Sequence, residues 1–181
     1  YLIISFVIFI FSFFLKKKIN SKYQNFCNRL KIGSLFFVVA ILISGLLTQI
    51  IKHVVGRPRP NYSMVENNFD FDFFSLSSSF HSFPSGHTST VFIVALVLSL
   101  LTPKIKYFYL FFAFVVGLSR VVVNAHHFSD IIGGVVVAFI GLKITLWFFN
   151  KLENNKKIID NIKFNPNIFF LSLIIFLITI I

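Results

Sequence analysis

The chain has one cysteine, Cys27, so no intramolecular disulfide and no metal site built from several thiolates can form, and Cys27 is read as a spectator. Acidic residues are scarce too. There are 6 Asp and Glu against 17 Lys and Arg, and no cluster of carboxylates is present to hold a hard cation. Charged residues make up 13% of the 181 positions while 56% are hydrophobic, which excludes an ordinary soluble core. No internal repeat is visible. The first 15 residues are not expected to act as a cleavable signal peptide: they are apolar, but Lys16, Lys17 and Lys18 follow them instead of preceding them. That segment is read as a retained span.

What the sequence does have is apolar residues in long blocks. Soluble elements alternate apolar and polar positions with a period near 3.6 or 2, whereas these runs are apolar on every face, as suits helices whose solvent is lipid. Six membrane segments are expected, at 1–15, 33–51, 88–102, 105–123, 131–149 and 167–181, giving an all-α integral membrane bundle that forms one domain over residues 1–181. About 20 residues cross a hydrocarbon core, so the three 19-residue runs suffice outright. The third run is expected to extend back to Pro84 or Ser85, residue types that open helices. The chain starts at Tyr1 and stops at Ile181 inside an apolar run, so truncation at both ends is expected.

A net charge of +11 is what a nucleic-acid binder would carry, but its distribution argues against that partner. Six Lys and Arg fall in 16–31, two in 103–106 and four in 150–166, all between apolar runs on one side. Juxtamembrane charge of this kind sets topology and marks that side as cytoplasmic, with 150–165 a solvated loop there. The opposite side holds Lys52, Arg57, Arg59 and Arg120 with Glu66, Asp70 and Asp72. It also carries the longest connection, 52–87, and the short one at 124–130, so a site built from both would be extracytoplasmic. Mixed Ser and Phe in the long connection suggest an interfacial cap with its rings at headgroup level.

Three clusters on that side have complementary chemistry. Lys52, Arg59 and Arg120 supply cations; His87 and His126 exchange protons near neutral pH; Asp130, four residues after His126, can sit beside it on a helix. An anionic tetrahedral substrate requires this combination. Arg120 follows an apolar run and precedes three valines, and an arginine at mid-span costs roughly 2.5 to 3.5 kcal/mol, so it calls for an anion; snorkelling to the interface is the plainer alternative. Pro84-Ser85-Gly86-His87 opens a helix whose free N–H groups suit phosphate, with Gly86 allowing close approach and Ser85 adding a hydroxyl, although such a turn alone is ordinary punctuation.

With these residues in place, the sequence resembles the type 2 phosphatidic acid phosphatase superfamily, which includes bacterial lipid phosphatases and, more remotely, vanadium haloperoxidases. Three motifs occur in order: Lys52, six residues, then Arg59-Pro60; Pro84-Ser85-Gly86-His87; and Ser119-Arg120, five residues, His126, three residues, Asp130. Eleven identities at fixed spacing are far more specific than any one short motif. The resemblance implies a bacterial inner-membrane hydrolase of lipid phosphate monoesters or diphosphates. In it His126 is the nucleophile that forms a phosphohistidine, Asp130 fixes the tautomer of His126, and His87 is the proton donor and later the base. Lys52, Arg59, Ser85, Gly86 and Arg120 would hold the phosphoryl oxygens, with no metal and no cofactor.

Neighbouring residues take plainer readings. His127 breaks the spacing and is structural or interfacial, and His53 and His81 lack matching partners. Arg57 is as well explained by topology as by headgroup recognition, Lys143 snorkels, and Asp70 and Asp72 belong to a Phe-rich interfacial loop. The bilayer and a lipid phosphate are the expected partners. Phosphatidic acid, phosphatidylglycerol phosphate, undecaprenyl pyrophosphate and the phosphates of lipid A all suit such a site. Two competing functions are weighed against hydrolysis: a membrane protein that binds or transports lipid phosphate without turnover, and a vanadate-dependent haloperoxidase. A pure binder has no use for a paired proton donor and oriented imidazole, and six spans argue against the haloperoxidase.

Overall fold

The computed structural model describes residues 21–66 and 69–152. Five α-helices follow in order: α1 (Ser21–Val55), α2 (Pro60–Glu66), α3 (Gly86–Leu101), α4 (Lys106–Val122) and α5 (Phe128–Leu152), with 3-10 turns at Ser78–Phe80 and Pro103–Ile105. No strand occurs among the described residues, so the all-α class holds. The expected spans at 33–51, 88–102, 105–123 and 131–149 fall in α1, α3, α4 and α5, while those at 1–15 and 167–181 lie outside the described residues. Three helical segments, Ile32–Glu66, Pro103–Val122 and Phe128–Lys151, are long and apolar enough to cross a membrane.

α1 differs from expectation at its start. It is already helical at Ser21, the first described residue, so much of the basic connection expected at 16–31 is helical. No Pro or Gly interrupts residues 21–32, and Lys, Gln, Arg and Leu there are good helix formers. At about 1.5 Å per residue the helix is roughly 50 Å long, well beyond one hydrocarbon core.

α3 is the centre of the bundle and packs against α1, α4 and α5. Its residues from Val91 to Leu98 are all buried, as expected of a helix apolar on every side and enclosed by its neighbours. The outer helices instead expose one stripe. Ile132, Val136, Phe139 and Ile140 on α5, and Leu42, Leu46 and Ile50 on α1, recur at intervals of three and four and present an apolar face to lipid. Phe36, Ala40, Tyr109, Ala113, Ala138 and Leu142 face inward onto α3.

Between apolar surfaces in lipid, close backbone approach and hydrogen bonding hold helices together. Thr48 Oγ on α1 and Ser89 Oγ on α3 are 2.9 Å apart. On α5, a Cβ at Gly141 would come within 3.0 Å of Ser44 Cβ. One at Gly134 would come within 2.8 Å of the Ser85 carbonyl oxygen and 2.9 Å of Thr88 Cβ. Gly134 therefore sets how near α5 lies to the start of α3. Gly134→Ala is expected to destabilise the bundle by about 1 to 3 kcal/mol through overpacking. Gly33→Ala, whose Cβ meets nothing within 4 Å, should be neutral or slightly stabilising. Thermal unfolding of the two variants in detergent checks the contrast.

Candidate active site

The C-terminal ends of α1 and α4 meet the N-terminal ends of α3 and α5, and each end is shaped by local sequence. α1 stops because Gly56 adopts φ +55°, its N–H donating to Lys52 O at 3.0 Å, the left-handed cap typical of glycine. No other residue fits there: a Cβ on Gly56 would lie 1.6 Å from Asp72 O. Pro58 and Pro60 then keep the helix from resuming, and Pro60 opens α2.

α4 ends in a Schellman motif. Asn124, at φ +55°, donates its N–H to Val121 O at 2.9 Å, and the Ala125 N–H reaches Arg120 O at 3.1 Å. The His126 N–H also donates to Arg120 O, at 3.2 Å, so the turn ties the backbone of His126 to that of Arg120. α3 begins at an N-cap, Ser85, whose Oγ accepts from the Thr88 N–H at 3.4 Å and from Thr88 Oγ at 2.9 Å.

A cavity of about 550 Å³ opens between these ends, lined by Lys52, Arg59, Gly86, His87, Arg120 and His126, with Thr48, Gln49 and Thr90 among the other lining residues. Residues 52, 59, 87, 120 and 126, drawn from three separate stretches of chain, thus share one space. Lys52 is buried, and its Nζ donates to His81 O at 2.7 Å. Arg59 donates from Nε to Ser78 O at 3.0 Å, and its backbone N–H to Ser79 O at 2.8 Å. The serine-rich stretch therefore clamps two of the three cations through its carbonyls. Arg120 Nε lies 3.3 Å from Ser119 Oγ. Because Lys and Arg side chains carry the charge here, the cavity attracts anions. Among the described residues no three His, Cys, Asp or Glu side chains converge as a metal ion would require.

Asp130 stands behind this cavity, fully buried. Its Oδ1 accepts from Arg57 Nη1 at 2.7 Å, and its Oδ2 from Ser82 Oγ at 2.5 Å and from the His127 N–H at 2.8 Å. The last contact is the returning half of a capping box at the start of α5. Ser85 N–H donates to the Asp130 carbonyl at 2.9 Å, which joins the openings of α3 and α5. His126 is also buried, with Nδ1 3.6 Å from Asp130 Oδ2 and no hydrogen-bond partner of its own.

The sequence matches the PAP2 superfamily over residues 33–154. The chain belongs to this superfamily. Among its similar relatives is a lipid A 1-phosphatase of Rhizobium johnstonii, 41% identical over 100 residues that cover 55% of this chain and 40% of the relative. A lipid A 1-phosphatase of Rhizobium etli is 38% identical over 57% of this chain and 44% of the relative. Lipid phosphate phosphatase 2 of Arabidopsis thaliana is 33% identical over 65% of this chain and 49% of the relative. The aligned region thus spans about half or less of the length of these relatives. No solved structure matches.

The PAP2 resemblance rested on residues that the fold places in two shells. Lys52, Arg59, Gly86, His87, Arg120 and His126 line the cavity, whereas Ser85 and Asp130 are buried behind it. His127 is structural, as expected: its ring nitrogen Nε2 is 3.3 Å from Pro58 O and its N–H caps α5. His53 and His81 pair with each other, their ring centroids 4.4 Å apart. Phe69, Phe71, Phe73 and Phe74 are exposed, in keeping with an interfacial loop.

Two residues of this candidate site have roles that sequence reasoning did not find. Arg57 holds Asp130, and Ser82 gives the same carboxylate a hydroxyl. The arginine was visible in Gly56-Arg57-Pro58-Arg59-Pro60, but spacing does not tell which of two nearby arginines faces the cavity. Ser82 was hidden among several serines. Arg57→Ala leaves the buried carboxylate without its charge partner and is expected to cost about 1 to 3 kcal/mol. Ser82→Ala should cost less, because the removed group is neutral. Thermal melting of both variants in detergent measures the order.

Proposed function

We propose that this chain is the catalytic unit of a lipid phosphatase, hydrolysing a phosphate monoester or diphosphate at the membrane surface without a metal. The observation that carries the proposal is the single cavity lined by Lys52, Arg59, Arg120, His87 and His126. Membership in the PAP2 superfamily and the names of the bacterial and plant relatives support it.

Nδ1 of His126 faces Asp130, so Nε2 is the attacking nitrogen. A bond forms between Nε2 and phosphorus as the bond from phosphorus to the lipid oxygen breaks, and His87 delivers a proton to that oxygen. His87 then takes a proton from water, whose oxygen attacks phosphorus. The electron pair of the nitrogen–phosphorus bond returns to Nε2 and inorganic phosphate leaves. Lys52, Arg59 and Arg120, with the Gly86 amide, stabilise the charge on the phosphoryl oxygens, while Ser85, buried behind them, caps the turn that presents Gly86 and His87. As positive charge develops on the His126 ring, Asp130 stabilises it, and the 3.6 Å separation closes to hydrogen-bond length. Arg57 and Ser82 keep that carboxylate in place.

The distribution of Lys and Arg between the spans supports an extracytoplasmic orientation for this site, and the bacterial relatives support an inner membrane and an envelope lipid as substrate. His126→Ala, still folded in detergent, should release phosphate from lipid substrates about 10³-fold more slowly or worse, while a chelator leaves the wild-type rate unchanged. Wild-type protein quenched during turnover with alkaline detergent should carry an acid-labile, alkali-stable phosphoryl group that the variant lacks. Full activity in His126→Ala would refute the mechanism, and lipid binding without phosphate release would favour the non-catalytic binder.

A further inference from the structure

A second cavity, of about 440 Å³, lies beside the first and takes no part in the chemistry above. It is lined by Arg59, Asn61, Tyr62, Glu66, Ser78 and Ser79, together with Val65. Arg59 lines both cavities. Its Nε is committed to Ser78 O, and a guanidinium has four further N–H donors on its two terminal nitrogens, enough to serve both sides. The second cavity is open to solvent, and two contacts fix part of its wall. Arg59 O accepts from the Ser63 N–H at 2.9 Å, which holds α2, and the Tyr62 ring packs on Phe80 with centroids 5.2 Å apart. Its charge differs from that of the first: one shared cation is set against the carboxylate of Glu66.

We propose that this cavity is a headgroup subsite for a hydroxyl-rich group, such as a sugar or polyol, carried by the same substrate whose phosphoryl group occupies the first cavity. The inference rests on the phosphatase reading of that first cavity. A second phosphate is disfavoured by Glu66, and a purely acyl group by the amide, phenol, carboxylate and serine groups in the wall, whose hydrogen bonds it would leave unmade. Hydroxyls supply donors for Glu66 and acceptors for Arg59, and the ring of Tyr62 offers a flat apolar surface to a sugar face. The site therefore selects the alcohol to which the phosphate is esterified. A lipid phosphorylated on a sugar fills both cavities, whereas phosphatidic acid fills one.

The test uses the purified chain in detergent with two substrates of matched acyl length, a lipid bearing its phosphate on a sugar ring and phosphatidic acid. Tyr62→Ala and Glu66→Gln are each compared with wild type by phosphate release. Both variants should lower kcat/KM on the sugar-phosphate lipid about five- to tenfold, chiefly through KM, and leave phosphatidic acid within about twofold. Equal losses on both lipids, or no loss on either, would overturn the subsite while leaving the phosphatase reading intact. If wild type releases phosphate from neither lipid, turnover of these two substrates fails, and the affinities of the same proteins for the two lipids decide the subsite. Weakened binding of the sugar-phosphate lipid alone supports it, and unchanged binding overturns it.

Discussion

The carboxylate of Asp130 is removed from solvent and held at once by a guanidinium, a hydroxyl and a backbone amide. A buried carboxylate left without partners would cost several kcal/mol, a large share of the net stability of most domains, so its partners must arrive together. Those partners come from the turn after α1, the segment before α3 and the start of α5. The same residue uses its main-chain carbonyl to bind Ser85, the N-cap of α3. One side chain and its own backbone thus fix where three segments meet, and the cavity is the space left in front of them.

Packing below that junction follows from the solvent. Apolar faces gain little by leaving lipid for one another, so contact between helices depends on small residues and on hydroxyls that bond across the interface. Gly134 against the Ser85 carbonyl and Gly141 against Ser44 let α5 approach α3 and α1 closely. α3 has 16 residues, roughly 24 Å of helix, shorter than a typical hydrocarbon core. Enclosed by three neighbours, it can be apolar on every side, and its polar opening turn is left where the chain ends converge.

The cations are placed by a division of labour between helix and loop. Lys52 and Arg120 belong to helix ends, whose positions the bundle dictates, while Arg59 is carried on a connection and held by carbonyls of the serine-rich stretch. Each main-chain carbonyl spent on a cation is a dipole aimed at charge, which orients these side chains before an anion arrives and lowers the cost of assembling the site around it. Because Arg59 sits on the loop, it can border two cavities of different character, one dominated by positive charge and one mixed.

Sequence alone determined that the chain is helical, that its helices are apolar enough to cross a membrane, and which residues carry the charge and imidazole that line the cavity. Those properties are local: hydropathy is summed over consecutive residues, and the motif spacings place Arg120, His126 and Asp130 around a single turn. The course of α1 through 21–32 was equally local, since helix formers without a breaker continue a helix, yet its basic residues suggested a connection. Only tertiary structure decided how the two arginines at 57 and 59 divide their tasks. They share chemistry and nearly share position, but Arg57 meets a carboxylate 73 residues away while Arg59 meets a carbonyl 19 residues away. The fold of residues 72–82 across the turn after α1, bonded from Asp72 to Gly56 and from Ser82 to Arg57, sends one inward to Asp130 and the other to the cavities. Pairings over such separations depend on which distant segments the packed helices bring together, and residue spacing carries no record of that.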